Sequence, residues 1–361
     1  MNIAVLIMAG GIGERLWPLS RENKPKQFLN IIENKSLIEQ TIDRALKITG
    51  EEHIFIITGK RYKESFSKYI PNFKKENIIY EPIGRDTTAA IALGVLTIKE
   101  KIGGDSIIVI LPADPIIKDE EMFIKNIEDA IEITKNTKNI VIVGITPNRA
   151  ETGYGYIKLK NNIKDDKYNV EKFLEKPNLE KACQFLEDGN YLWNSGMFIW
   201  DVDNIINSIK IFMPDTYKKV LKTFEALKNN KNEDEITKLF KEIEKISFDS
   251  SVMEKLYNII CIKSNFFWDD LGAFSALGRI HDKDDNNNVI VGNVYAKEAN
   301  NNIIINDEKN TFIAIDGVDD LTIVHSNGVL LIYPNNKDSK IKDILKDIRE
   351  KDELKDKRDL L

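Results

Sequence analysis

Five apolar runs separated by helix-forming stretches constrain the first 145 residues more than any other feature. They are IAVLIMA (3–9), HIFIIT (53–58), NIIYE (77–81), SIIVILPAD (106–114) and NIVIVGI (139–145). Near-continuous apolar runs of this length read as strands buried on both faces. Between them the spacing turns helical. Ser36 opens a helix with Glu39 three residues on, a capping box, and Ile38, Ile42, Ala45 and Leu46 make its apolar face. Further helices are predicted near 60–69, over 86–101 with Asp86 or Thr87 as cap, and over 119–136. This alternation predicts an α/β fold whose mainly parallel sheet is covered by helices on both faces.

From 151 the pattern changes. YGYIKL, YNVEKFLEK and GMFIW read as strands, with a helix near 179–188 and charged helical sequence over 202–256. The stretch HDKDDNNN (281–288) reads as a linker. Beyond it VIVGNVYA, NNIIIN, TFIAIDG, LTIVHS and GVLLIY predict a small β domain over 287–334. The charged tail 338–361 reads as an exposed helix that frays at its end.

Composition excludes several classes. The formal charge of −6 gives no overall attraction for nucleic acid, so any anion site must be local. Cys183 and Cys261 have no metal-ligand spacing, and two isolated thiols suit a reducing cytoplasm. No basic residue precedes the first apolar run, which argues for a buried strand and against a signal peptide. No apolar stretch reaches the roughly 20 residues that span a bilayer. His53, His281 and His325 suggest neither a metal site nor a base, and the four tryptophans read as core or pocket wall.

The chemistry starts at MAGGIGERLWPLSRENKPKQF (8–28). Ala9, Gly10, Gly11 and Gly13 follow a strand directly, where small residues let backbone N–H groups approach an anion. The same glycines could serve only a tight turn. The loop lacks the Gly-Lys-Ser/Thr of a P-loop, and Leu16 stands where a dinucleotide fingerprint needs its third glycine. Arg15 and Lys26 add positive charge beside the glycines, and Pro18 and Pro25 stiffen the segment between them.

This stretch resembles the G-G-x-G-x-R-L-x-P-L-S/T-x-x-x-P-K signature of the sugar-1-phosphate nucleotidyltransferases. Its RLWPLSR and KPKQF wording is similar to that of the bacterial mannose-1-phosphate guanylyltransferases. Further motifs follow in order. EPIGRDTTAAIA (81–92) is similar to the E-P-x-G-R-N-T-A-P-A-I-A of the family, with Asp86, Thr88 and Ala89 departing from it. The resemblance places Glu81, Pro82, Gly84, Arg85 and Thr87 with the nucleotide. LPADP resembles L-P-A-D-H, with Pro115 departing, and FWDDLGAF fits W-x-D-x-G, with Asp269 at the variable position. Asp114 and Asp270 are thereby implied as magnesium ligands. TGYGYI, VEKFLEKP and WNSGMF resemble the sugar side, implying Gly155, Glu175, Lys176 and Asn194 as sugar-phosphate contacts. Glu-Lys-Pro and Asn-Ser-Gly, taken alone, are common surface and turn residues.

The resemblance covers residues 3 to about 333. It implies a Rossmann-like nucleotidyltransferase domain with a mixed sheet over 1–280, and a small C-terminal module like a left-handed β-helix. It also implies GTP and mannose 1-phosphate as substrates, with no nucleic acid, no membrane and a homodimer allowed for. Some relatives continue into a cupin-type isomerase domain; no isomerase activity is expected of residues 1–361. In the implied mechanism a sugar-phosphate oxygen attacks the α-phosphorus and pyrophosphate leaves. Arg15, Lys26, Asp114 and Asp270 are its catalytic residues. Another base or sugar stays open, since no charge or spacing selects guanine. A non-catalytic sensing subunit is a second alternative, and retention of all four charged residues weighs against it.

Overall fold

The computed structural model describes all 361 residues except 33, 336 and 339. The chain forms two compact units, each built from several segments. The first holds 1–10, 40–113 and 117–268, and the second 11–39, 114–116 and 269–361. The division runs through the glycine loop. The stretch carrying Arg15 and Lys26 therefore belongs with Asp114, Asp270 and the C-terminal β region.

In the first unit nine strands make one sheet. Their spatial order is Ile78–Glu81, Ile54–Gly59, Asn2–Met8, Ser106–Pro112, Tyr191–Asp201, Val141–Ile145, Ile260–Ser264, Lys167–Leu174 and Tyr156–Lys164. The first four run parallel, with Val5 level with Ile54 on one side and Val109 on the other. Ala4, Val5, Leu6 and Ile7 are fully buried, as an apolar run covered on both faces requires. The sheet is mixed, but it is not mainly parallel. Tyr191–Asp201 runs antiparallel to both Ser106–Pro112 and Val141–Ile145. Tyr156–Lys164 and Lys167–Leu174 form an antiparallel hairpin. The physical reason is the connection. In the hairpin, strands joined by a tight turn must reverse, whereas a parallel neighbour needs a long crossover; Tyr191–Asp201 is joined by a tight turn to neither Ser106–Pro112 nor Val141–Ile145, and its direction comes with its insertion between them.

Two helix starts decide where loop residues point. Ser36 and Glu39 form the expected capping box: the Ser36 N–H donates to Glu39 Oε2 at 2.8 Å. The helix Asp86–Ile102 starts differently from expectation. Its cap position is Arg85, which supplies no side-chain cap bond, and Asp86 has φ 63°. Asp86 Oδ1 accepts from the Thr87 N–H at 2.8 Å, while Thr87 Oγ1 accepts from the Phe248 N–H at 2.8 Å. Asp and Asn are the non-glycine residues that best tolerate this left-handed conformation. That accounts for Asp86 standing where the resemblance has Asn.

In the second unit Val289–Val291, Ile303–Asn306 and Leu321–Ser326 stack in parallel, and Val329–Pro334 closes that sheet antiparallel. Val294–Lys297 pairs in parallel with Ile313–Asp316. Residues 281–288 are not a free linker. Asn288 is buried, donates to Asp284 Oδ2 and accepts from Asn302 Nδ2 at 3.0 Å, which makes this stretch the first turn of the β stack. The tail also departs from expectation. Ile341, Leu345 and Ile348 of the helix Lys340–Glu350 are buried, so that helix has a docked face. The chain continues as a 3-10 helix, Asp352–Leu360, instead of fraying.

Candidate functional site

In the second unit the signature loop is organised around Lys26. Gly13 has φ 79°, and a Cβ there would lie 2.5 Å from Lys26 Cβ, so any side chain would both strain the turn and displace the lysine. Lys26 is 7% exposed. Its ammonium donates to Asp114 Oδ2 at 2.8 Å and to the Asp270 carbonyl oxygen. Lys26 thus joins two residues that sequence spacing could not place together. Gly11 differs from Gly13: a Cβ there would meet no described atom within 4 Å, and the same holds for Gly10 in the first unit. Neither has a positive φ. Internal packing therefore does not require glycine at 10 or 11, and the bare backbone faces open space.

Arg15 is exposed and has no ion-pair partner among the described residues, which leaves its guanidinium available to an anion. The segment that carries it is tied down on either side. Glu14 pairs with Arg349 at 2.7 Å, the Trp17 indole N–H donates to the Leu360 carbonyl at 2.8 Å, and Arg21 Nη2 donates to the Asn327 carbonyl at 3.0 Å. The C-terminal tail is thus part of the frame of the loop. Asp269 and Asp270 differ in burial and bonding. Asp269 is 1% exposed and accepts from Arg279 Nε at 2.7 Å and from the Leu271 N–H at 2.9 Å, a structural role. Asp270 is half-buried, and its Oδ1 accepts from the Gly272 N–H at 3.1 Å.

In the first unit the predicted sugar residues converge. The Gly155 carbonyl accepts from the Asn194 N–H at 2.8 Å, and a Cβ on Gly155 would lie 3.2 Å from Glu175 Oε2. Asn194 sits inside the strand Tyr191–Asp201, not in a turn, where the ladder with Val141–Ile145 shifts register. Glu175 and Lys176 pair with each other at 2.7 Å and line a cleft of about 570 Å³ together with Lys172, Lys181 and Phe185. One residue escaped the sequence reading. Asp249 Oδ1 accepts from Asn194 Nδ2 at 2.7 Å and so orients that amide. Burial pushes its carboxyl up to about 6, with the charge of Glu175 adding to the effect and the Asn194 bond opposing it. A single Asp after a phenylalanine in charged helical sequence carried no signal of this.

Glu81 ends the strand Ile78–Glu81, is 6% exposed, and its carboxyl is pushed up to about 8 by burial, with Asp86 adding to the effect. A carboxyl raised in the folded state contributes most stability below its unfolded value, about 4.5, and loses that contribution as pH rises through about 8. Glu81→Gln does not titrate there. Its stability, followed by thermal melting, is expected to gain on the wild type progressively between pH 5 and 8, by an amount on the order of a few kcal/mol at most. A difference in melting temperature that stays flat over this range would contradict the assignment.

A family model described as nucleotidyl transferase matches residues 4–287. The mannose-1-phosphate guanylyltransferase RfbM of Salmonella typhimurium is 35% identical over 350 residues, covering 96% of this chain and 72% of the relative. An Escherichia coli mannose-1-phosphate guanylyltransferase is 32% identical over 348 residues, covering 94% and 74%. The crystal structure of a Thermus thermophilus protein described as a mannose-1-phosphate geranyltransferase superposes with a TM-score of 0.86 at 29% identity. It covers 97% of this chain and 100% of that one.

Proposed function

This chain belongs to the nucleotidyl transferase family, and on that premise we propose that it transfers GMP from GTP to α-D-mannose 1-phosphate, giving GDP-mannose and pyrophosphate. The observation that carries this reading is Lys26 tying Asp114 to Asp270 beside Gly13, in a chain 35% identical to a mannose-1-phosphate guanylyltransferase. A sugar-phosphate oxygen attacks the α-phosphorus in line, and the bond to the β-phosphate oxygen breaks. The attacking phosphate is already ionised at neutral pH, so no general base is needed. Catalysis is then positioning and charge stabilisation. Arg15 and Lys26 neutralise the triphosphate, Glu175 and Asn194 take sugar hydroxyls, and Lys176 takes the sugar phosphate.

Asp114 and Asp270 suit a magnesium ion. Both are hard oxygen donors, and Mg²⁺ is usually held by one or two carboxylates with phosphate oxygens and water completing its shell. Among the described residues no group of three or more Asp, Glu, His or Cys could hold a metal alone, so the remaining positions fall to substrate and water. When bound, the ion offsets phosphate charge. We also infer that the C-terminal β region is a short left-handed β-helix; its stacked parallel strands and the Asn288–Asn302 bond between successive turns support coils of that kind. The free thiols of Cys183 and Cys261 support a reducing, cytoplasmic location. No helix among the described residues is long and apolar enough to cross a membrane.

Pyrophosphate release with a panel of nucleoside triphosphates and mannose 1-phosphate tests the reaction directly; turnover with another base in preference to GTP would reject it. On the sugar side, Glu175→Gln is expected to raise KM for mannose 1-phosphate about tenfold while leaving that for GTP within twofold, in line with the loss of a charged hydrogen bond. A rise confined to the GTP term would reverse the assignment of Glu175.

A further inference from the structure

Thr88 stands where the family pattern has alanine, and none of the site contacts above uses it. The structure gives its hydroxyl a partner. Thr88 Oγ1 and Ser251 Oγ share a hydrogen bond of 2.7 Å, and both residues are fully buried. A buried hydroxyl is costly unless it is paired, so alanine would be the simpler residue at 88 unless the bond itself fixes something.

What it fixes is the turn 247–251. That turn meets the start of the helix Asp86–Ile102 at two further points. Thr87 Oγ1 accepts from the Phe248 N–H at 2.8 Å, and the Thr88 N–H donates to the Ile246 carbonyl at 3.4 Å. Within the turn Ser247 Oγ accepts from the Ser250 N–H at 3.2 Å. Asp249 reaches from it to the strand Tyr191–Asp201, where its Oδ1 accepts from Asn194 Nδ2 at 2.7 Å. The Asn194 side-chain oxygen accepts in turn from the Gly196 N–H at 3.2 Å. The amide is therefore held at both ends. It cannot flip without breaking both bonds, and it keeps one N–H and one lone pair for a ligand hydroxyl. All of these residues lie in the first unit.

We propose that Thr88, Ser251 and Asp249 are positioning residues for the sugar acceptor. The buried hydroxyl pair anchors the turn 247–251 on the helix that begins in the nucleotide motif, and Asp249 passes that anchorage to the Asn194 amide. Thr88 and Ser251, being fully buried, act without touching substrate. This rests on Asn194 taking a sugar hydroxyl, as proposed above. The bonds from Thr87 Oγ1 and the Thr88 N–H do not depend on the Thr88 hydroxyl, so the helix start stays tied to the turn when that hydroxyl is removed, and the nucleotide half is spared.

Thr88→Val keeps the shape of the side chain and drops its hydroxyl, and Ser251→Ala removes the partner. Each is expected to raise KM for mannose 1-phosphate about 2- to 10-fold, the effect of one neutral hydrogen bond, with KM for GTP within about twofold of the wild type. Thr88→Ser, which keeps the hydroxyl, should restore both values. The double variant should do no more than either single one, because both changes remove the same bond. Asp249→Ala should raise KM for mannose 1-phosphate further, by about 10- to 100-fold, and Asp249→Asn by less, since the amide keeps one acceptor oxygen. The decisive measurement is Ser251→Ala placed in an Asn194→Ala background, where it should add less than about twofold, because the residue it acts through is gone. A bond that served stability alone would lower the melting temperature and leave KM for mannose 1-phosphate at its wild-type value in Thr88→Val and Ser251→Ala, and that result overturns the proposal. So does an equal rise in both KM values, or a full Ser251→Ala effect in the Asn194→Ala background. Failure of the underlying sugar assignment looks different: Asn194→Ala would then leave KM for mannose 1-phosphate unchanged.

Discussion

Lys26→Ala is expected to lower kcat for GDP-mannose formation by on the order of a hundred- to a thousand-fold and to weaken GTP binding as well. A donor aimed at charge that develops on the leaving group is worth about 3–4 kcal/mol in the transition state. The structure adds a second loss in the same direction. The Lys26 ammonium sits 2.8 Å from Asp114, so its removal leaves that carboxylate without its cation next to incoming phosphate. Arg15→Ala should fall by a similar factor, through the triphosphate alone, since Arg15 has no ion-pair partner among the described residues to leave behind. Arg15→Lys should rescue only in part, because a guanidinium grips two phosphate oxygens and an ammonium does not. Lys351→Ala is the control. That lysine is exposed and among the described residues its ion pair is with Asp347, one turn away, a contact that solvent screens. Steady-state kinetics with circular dichroism as a check on folding separates these cases. Normal turnover of GTP by both Lys26→Ala and Arg15→Ala would show the loop to be a structural turn.

The sequence exposed what depends on period and on local chemistry. Ile107 to Val109 are fully buried because a continuous apolar run has nowhere else to go. Ser36 and Glu39 announced their helix start because both halves of the bond lie within one turn. What escaped depends on residues far apart in the chain. The antiparallel half of the sheet follows from where Tyr191–Asp201 inserts, between two strands that precede it in sequence, and no local pattern records that. Asp249 meets Asn194 across 55 residues, so neither side chain could be seen to orient the other. The tail read as solvent-exposed because its charge is high. Ile341, Leu345 and Ile348, at spacings of four and three, are the signal of a docked face, and they are buried. Even the glycine motif was legible only as a motif. That Gly13 exists to make room for Lys26, whereas Gly10 and Gly11 leave space outside the chain, could be learned only from the packing.

Asp114→Asn and Asp270→Asn are each expected to lose most of the activity, at least about a hundredfold at low Mg²⁺, with the fold intact. Each change is nearly isosteric and removes one anionic donor from the proposed magnesium site, so the affected quantity should be the magnesium requirement. The concentration of Mg²⁺ giving half-maximal rate should rise, and added Mg²⁺ should restore part of kcat. Stability should change little at Asp114, whose side chain is 38% exposed and whose ion pair with Lys26 is correspondingly screened. The neighbouring Asp269→Asn makes the contrast. Asp269 is buried and bonded to Arg279 at 2.7 Å, so its loss should lower the melting temperature, with a cost of at most about 3 kcal/mol because the Arg279 side chain is 32% exposed. Its magnesium requirement should stay where it was. Two adjacent aspartates would then separate into one that holds the loop and one that serves the reaction. Near-normal rates at low Mg²⁺ for Asp114→Asn or Asp270→Asn would remove that residue from the metal site. An equal shift in magnesium requirement for Asp269→Asn would mean that the response reports on loop geometry, and that the ligand assignment to Asp270 does not stand.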